Sequence, residues 1–244
     1  MRPLEITFPL LLGCYALWPH PRPFLIRCLP LLALAVTLIH FFIEGYRWQM
    51  APLYALTLLF AIISLTEINH QADWFAAVSS LTLRLGQGGA VLLLAVSTAL
   101  PALLPVPKIP SPSGPLQVGT ITFELTDESR REIYSGKDEP RSFMVQAWYP
   151  ANPLPENQRA RWMQRPDIFG PAISSFLKLP SFFLDHLALA KTPAYLNAPI
   201  AESNEPYPII VFSHGWDGFS AQNSGQMVEL ASHGYFVVAV NHTY

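Results

Sequence analysis

The sequence predicts an α/β domain that follows an all-α membrane region of about four helices. Three observations support this fold class: few charges, their uneven placement, and two apolar runs near the C-terminal end. Charged residues make up 13% of the chain, whereas soluble domains have about 25%. Of these charges, 10 lie in the first 115 residues and 22 in the last 129. The chain therefore joins a part suited to lipid and a part suited to water.

The first part contains four apolar runs, at residues 4–18, 24–43, 51–68 and 88–104. A helix needs about twenty apolar residues to cross a bilayer core, so the second run is the clearest span and the first is short. We therefore predict a transmembrane helical region over residues 1–106, which makes the protein a multi-pass membrane protein. Residues 74–85 carry apolar side chains at helical spacing, which predicts either a helix on the membrane surface or a hairpin loop.

Polar groups within these runs are few. His40 lies in the second run, and because no other charged residue falls at that depth, we interpret it as hydrogen-bonded within the bundle and not as a proton relay. A transporter is therefore poorly supported. The cations that would fix the orientation differ too little between the two sides, so the side of the membrane stays undetermined. They are the amino terminus, Arg2, Arg47 and Lys108 against Arg22, Arg27 and Arg84.

Several classes of partner are not expected. The net charge of −2 offers no basic patch for nucleic acid. No acidic or histidine cluster has the spacing of metal ligands, so neither a metal nor a cofactor is predicted. The expected partners are the bilayer and a small-molecule or lipid substrate, and the sequence does not fix the oligomeric state.

A proline-rich stretch separates the two parts. Residues 101–115 contain six prolines, and this density favours an extended, semi-rigid spacer. We take residues 107–116 as the linker and residues 117–244 as the second domain. In that domain, alternating polar and apolar residues at 118–125 and 143–149 predict an antiparallel strand pair.

The next stretch, residues 151–206, contains no strong strand pattern. Its apolar segments at 168–177 and 182–190 predict two short helices. These helices would either cover the edge of the sheet, which we weigh slightly higher, or form a lid over a substrate pocket. Phe182 and Phe183 are the first candidates for such a lid.

The stretch from 208 to 244 organises the second domain. Residues 209–213 and 235–240 are near-continuous apolar runs, each typical of a strand buried on both faces. About twenty residues separate them, enough for one crossover helix at about 221–232, ended by Gly234, so a parallel βαβ unit is predicted. Ligands of such sheets bind beyond the carboxyl ends of the strands. The loop from His214 to Gly218 is therefore the candidate site, and its glycines would leave amide groups free to hold an oxyanion.

At these residues the chain resembles the α/β-hydrolase superfamily, and within it the platelet-activating-factor acetylhydrolase and dienelactone-hydrolase-like esterases. The motifs are Ser213-His214-Gly215-Trp216 and the segments 127–130 (read as a turn), 146–150 and 229–235. The resemblance implies that the backbone N–H of Trp216, in the loop formed with His214 and Gly215, is one oxyanion-hole donor. It also implies that His214 stabilises this loop and is not the general base, and that His242 is a loop residue.

The same resemblance implies a catalytic triad that these residues do not contain. No Gly-x-Ser-x-Gly occurs; the segment at 218–222 lacks the second glycine. We therefore expect an incomplete sheet, the N-terminal portion of an α/β-hydrolase fold, in a fragment of a longer protein that is inactive by itself. The parent would be a membrane-anchored serine ester hydrolase, acetylhydrolase-like or lipase-like. The alternative is a non-catalytic membrane protein with a truncated, partner-binding α/β domain.

Overall fold

The computed structural model describes residues 1–19, 21–70, 80–216 and 218–242. They fall into two compact units, Met1–Val106 and Pro107–Tyr244. The first unit is helical. The described part of the second contains a mixed six-stranded sheet and two α-helices, of which the second packs on the sheet.

Four helices build the first unit: α1 (Pro3–Leu17), α2 (Phe24–Ile43), α3 (Ala51–His70) and α4 (Ser80–Leu103), with a 3-10 turn at Trp48–Met50. By length and composition, three stretches of the described chain are long and apolar enough to cross a membrane: Phe24–Ile43, Trp48–Asn69 and Arg84–Leu103. Helix α1 has 15 residues, or about 22 Å, which is less than the bilayer core of about 30 Å. Four helices were predicted as spans, and three meet this criterion.

The helix or loop predicted at 74–85 is only partly described. Residues 74–79 lie outside the described residues, and Leu81 and Leu85 belong to α4. Both leucines are exposed.

Charged side chains are buried inside the first unit. Arg47 Nη1 lies 2.9 Å from Glu5 Oε1, and the side chains are 1% and 0% exposed. His40 is bonded within the bundle as predicted, with Nδ1 2.9 Å from Glu44 Oε2 and Nε2 3.0 Å from the Tyr54 hydroxyl. The carboxylate of Glu44, the residue that follows α2, therefore lies against this histidine.

The second unit contains six strands in the order β3-β4-β1-β2-β6-β5. They are β1 (Val118–Arg131), β2 (Pro140–Pro150), β3 (Arg159–Arg161), β4 (Lys191–Leu196), β5 (Ile209–Ser213) and β6 (Phe236–Val240). The helices are α5 (Pro166–Phe176) and α6 (Ser224–Ser232), and a 3-10 turn covers Asp185–Leu189.

The antiparallel β1–β2 pair is confirmed, but the prediction of a turn at 127–130 is wrong. These residues continue β1 through a bulge between Asp127 and Arg131. The prediction that 151–206 lacks strands is also wrong, because β3 and β4 pair there and β4 joins β1. Of the two predicted helices, α5 is present, while the segment at 182–190 forms only the 3-10 turn.

The predicted βαβ unit is confirmed: β5 and β6 are parallel and α6 connects them. Gly234 ends α6 with a positive φ of 93°, and the Tyr235 N–H donates to the Leu230 carbonyl at 3.2 Å, as in a Schellman cap. The sheet and its helices confirm the predicted fold class, the first part of an α/β-hydrolase fold.

The two strands of this unit differ in burial. On one face of β6, Val237 and Ala239 are fully buried beneath α6. Strand β5 was predicted to be buried on both faces, and this is wrong, since Ile209 and Val211 are 69% and 68% exposed. The reason is that β5 lies at the edge of the sheet, and nothing in the described part of the chain covers that face.

The end of the proline-rich stretch is attached to α6. Ser113 donates through its N–H and hydroxyl to the Glu229 carboxylate. The Leu116 N–H donates to the Ser232 carbonyl at 3.1 Å. These bonds place the start of the second unit beside α6.

Candidate functional site

The predicted site lies where β5 and β6 end. The two strands are in parallel register up to the pair Ser213 and Val240. The residues that follow them, His214 and Gly215 after β5 and Asn241 and His242 after β6, are therefore at the same edge of the sheet. This is the edge at which open α/β sheets bind ligands.

Two histidines meet at this edge. Their ring centroids are 4.4 Å apart and the ring planes make an angle of 64°. The backbone N–H of His242 donates to His214 Nε2 at 3.0 Å, and His214 Nδ1 lies 2.8 Å from the Gly215 carbonyl oxygen. Both ring nitrogens of His214 are thus in hydrogen-bonding contact, one with the Gly215 carbonyl and one with the backbone of His242.

The loop itself contains a tight turn. The Gly218 N–H donates to the Gly215 carbonyl at 3.1 Å. A Cβ on Gly218 would lie 2.5 Å from Gln222 Oε1 and 3.0 Å from that carbonyl, whereas a Cβ on Gly215 would meet no atom within 4 Å. A side chain at residue 218 would also lie 2.9 Å from His214 Cβ. A substitution of Gly218 would therefore displace its neighbours, whereas one of Gly215 meets open space.

Trp216 is at the tip of this turn, and its side chain is 94% exposed. Among the described residues, the backbone N–H groups of Gly215 and Trp216 have no hydrogen-bond acceptor. Two adjacent amides at the carboxyl end of a strand can together bind an anionic oxygen. The arrangement suits stabilisation of an oxyanion.

The segment after the loop is fixed by residues that sequence reasoning did not assign to the site. The Ser220 N–H donates to Asn241 Oδ1 at 3.2 Å, and Trp162 Nε1–H donates to the Ala221 carbonyl at 2.8 Å. The rings of Trp162 and Phe169 lie 5.9 and 5.5 Å from that of Phe219. The segment between β3 and β4 thus contacts the residues after the loop through Trp162 and Phe169.

A sequence signal existed for only one of these residues. Asn241 follows an apolar strand directly, the position at which polar ligand-binding residues of such sheets lie. Trp162 and Phe169 are 52 and 45 residues before His214, the start of the loop, and no local pattern connects them to it.

A serine, a glutamate and a histidine also meet on α6, but they do not form a triad. Ser113 Oγ and Glu229 Oε1 lie 3.3 and 3.0 Å from the same nitrogen, His233 Nε2, whereas a triad uses the two ring nitrogens separately. The Ser113 hydroxyl, followed by its N–H, holds the pKa of Glu229 below its ordinary value. This cluster is a surface attachment. Over the described residues, no group of three or more metal-ligating side chains is placed to hold a metal ion.

The chain is similar to several known enzymes. A platelet-activating factor acetylhydrolase from Cavia porcellus is 35% identical over 140 residues, covering 55% of this chain and 28% of the relative. The corresponding protein of Canis lupus familiaris is 31% identical over 139 residues, with the same two coverages, 55% and 28%. A ferulic acid esterase structure from Streptomyces cinnamoneus shares 29% identity, with a TM-score of 0.46, over 57% of this chain and 37% of the esterase.

The chain thus spans less than a third of the length of these curated relatives. The family described as platelet-activating factor acetylhydrolase, isoform II, matches residues 103–243. That match covers more than half of the chain, including the strand pair β1–β2 and the loop of His214 to Gly218. The sheet, the loop and the family match agree, and the chain belongs to the platelet-activating factor acetylhydrolase, isoform II, family.

Proposed function

We propose that this chain carries the oxyanion loop of a membrane-anchored serine ester hydrolase. In such an enzyme a serine attacks the ester carbonyl, the alcohol leaves, and water releases the acyl group as a carboxylic acid. The Trp216 N–H would bind the carbonyl oxygen as it becomes negative, with Gly215 and His214 shaping the loop. We assign no residue of this chain to the catalytic serine, its acid or its base.

One observation carries this proposal. The N–H groups of Gly215 and Trp216 have no acceptor in the described part of the chain and follow directly after β5. Preorganised donors of this kind act on the charge that develops in the transition state. The names of the relatives support an acetyl ester substrate, and a small-molecule or lipid ester is the class we propose.

Membrane anchoring is supported by composition. The described chain contains three stretches long and apolar enough to cross a bilayer, and they precede the hydrolase unit. An enzyme held at the bilayer would meet amphiphilic esters at high local concentration. We therefore propose a multi-pass membrane protein.

The oxyanion role is tested by deleting one N–H group. The protein is expressed from its complete natural gene, and hydrolysis of p-nitrophenyl acetate is measured for wild type, Trp216→Pro and Trp216→Ala. Proline removes the amide hydrogen, so kcat should fall about 10²- to 10³-fold. Alanine keeps the amide, and because the indole is exposed, kcat should stay close to that of wild type. Equal rates for the two variants would contradict the proposal.

A second arm of the experiment uses residues 1–244 alone. We expect no turnover above that of the Trp216→Pro variant, because the nucleophile is absent from this sequence. If the complete protein also lacks esterase activity, the alternative of a partner-binding α/β domain takes its place. The exposed face of β5 would then be the first surface to examine for a partner.

A further inference from the structure

The direction of the Trp216 N–H is set by atoms several bonds away from it. A trans peptide is planar, with its carbonyl and its N–H pointing in opposite directions. The peptide that carries the Trp216 N–H has the Gly215 carbonyl at its other side. Whatever holds that carbonyl therefore aims the Trp216 N–H.

Two donors hold the Gly215 carbonyl. His214 Nδ1 lies 2.8 Å from it, and the Gly218 N–H lies 3.1 Å from it. The exposed Trp216 side chain offers no comparable anchor. The orientation of the amide thus depends on the His214 ring together with the turn.

The His214 ring is itself fixed from the neighbouring strand. Its Nε2 accepts the backbone N–H of His242, so this nitrogen carries no proton. The ring proton therefore belongs on Nδ1, where it is donated to the Gly215 carbonyl. Only the neutral Nδ1–H tautomer satisfies both contacts, since a proton on Nε2 would face another donor.

The His242 ring completes the connection. Its Nε2 lies 2.8 Å from Ser213 Oγ, the last residue of β5. The contacts run from Ser213 through His242 and His214 to the Gly215 carbonyl, and tie the loop to both strand ends.

We infer that His214 and His242 are positioning residues that aim the Trp216 N–H at the substrate carbonyl. The inference rests on the oxyanion role proposed above. Neither histidine touches the reacting atoms in this arrangement. Each acts through the Gly215–Trp216 peptide.

Variants of His214 in the complete protein test the inference. His214→Phe keeps a ring but donates nothing, so kcat should fall about 10- to 100-fold, less than on deletion of the donor itself. KM should change by less than about twofold, because the amide matters chiefly in the transition state. His214→Asn retains an N–H near the Nδ1 position, and it should recover most of the lost kcat. The matched control His233→Phe, on α6 away from the loop, should leave kcat unchanged.

The outcomes separate this inference from the proposed function. Unchanged kcat in His214→Phe, with a large loss in Trp216→Pro, would overturn the positioning inference alone. Unchanged kcat in Trp216→Pro would overturn the oxyanion role first.

A measurement on wild-type protein is independent of how the variants fold. The ring-nitrogen chemical shifts of His214 distinguish its two neutral tautomers. We expect the proton on Nδ1; a proton on Nε2 would overturn the inference.

Discussion

The two units of the chain bury opposite kinds of side chain. In the helical unit, the ion pairs Arg47–Glu5 and Arg22–Glu67 are buried, while many leucines and phenylalanines are exposed. In the sheet unit, the pair Arg165–Asp167 is about two-thirds exposed, and Trp148 and Val237 are fully buried. The first pattern suits lipid as the solvent and the second suits water.

In the proposed membrane setting, the two units would follow the same physical rule in two solvents. Each unit would bury the groups that its surroundings solvate poorly. Breaking an ion pair should therefore change the stability by a different amount in each unit, and so should replacing an exposed apolar side chain. Two substitutions, each with a partner in the other unit, test this, and a carboxylate of the sheet unit gives a third prediction.

The largest loss of stability is expected when a buried charge loses its partner. Arg22→Met leaves the Glu67 carboxylate buried without the guanidinium that now lies 3.1 Å from it. Removing one partner of a buried pair costs about 3–5 kcal/mol. The matched change Arg165→Met in the exposed pair should cost about 0–1 kcal/mol. Denaturant unfolding in detergent micelles, followed by circular dichroism, measures both.

The double variant Arg22→Met/Glu67→Leu serves as control. It removes the unpaired charge, so it should regain most of the stability, as for other buried pairs replaced by apolar side chains. A cost for Arg22→Met no larger than that for Arg165→Met would contradict the contrast between the units.

A smaller effect is expected from charging an exposed apolar position. Leu32 lies near the middle of α2 and is exposed. Leu32→Arg should oppose insertion by about 3 kcal/mol, because arginine is costly at the centre of a span. Ile133→Arg, at an exposed position of the sheet unit, should change the stability by no more than about 0.5 kcal/mol. Carbonate extraction of membranes reports insertion, and equal retention of the two variants would argue against lipid around α2.

The smallest effect concerns a partly exposed carboxylate, that of Asp127. The Ser129 hydroxyl, followed by Arg130, lowers the pKa of Asp127 from 3.8 to about 2. Because the folded-state pKa is lowered, this group stabilises the fold above about pH 4, and the contribution is lost as the pH falls towards 2. NMR titration of the carboxyl carbon should show this midpoint. Ser129→Ala should move it towards 3.8, more than Arg130→Gln does, and an ordinary midpoint in wild type would refute the prediction.

Much of the fold could be predicted because its signals are local. The apolar runs of β5 and β6, the spacing between them and Gly234 all lie within forty residues. Strand β4 was missed because Pro193 interrupts it and its buried residues, Thr192 and Ala194, are small. Proline demotes a run to an edge or a loop, yet in β4 the alternating burial persists.

The candidate site was predictable in position but not in its contacts. The Ser-His-Gly motif located the loop, since ligands bind beyond the ends of parallel strands. The partner of His214 is 28 residues further along the chain, and the pairing of Arg22 with Glu67 crosses 45 residues. Such contacts depend on how the elements pack, which a periodic pattern does not encode.

Because the first helix is short, the exposed apolar surface of the helical unit is shorter on the side of α1 than on the side of α2. On α1, exposed apolar side chains extend from Ile6 to Leu17, about 16 Å along the axis. On α2 they extend from Phe24 to Ile43, about 28 Å. In the proposed membrane setting, lipid beside α2 would match the bundle, while lipid beside α1 would have to thin or let water reach inward. Such one-sided mismatch would attract shorter or more flexible acyl chains to the α1 side and favour thin membranes for this protein.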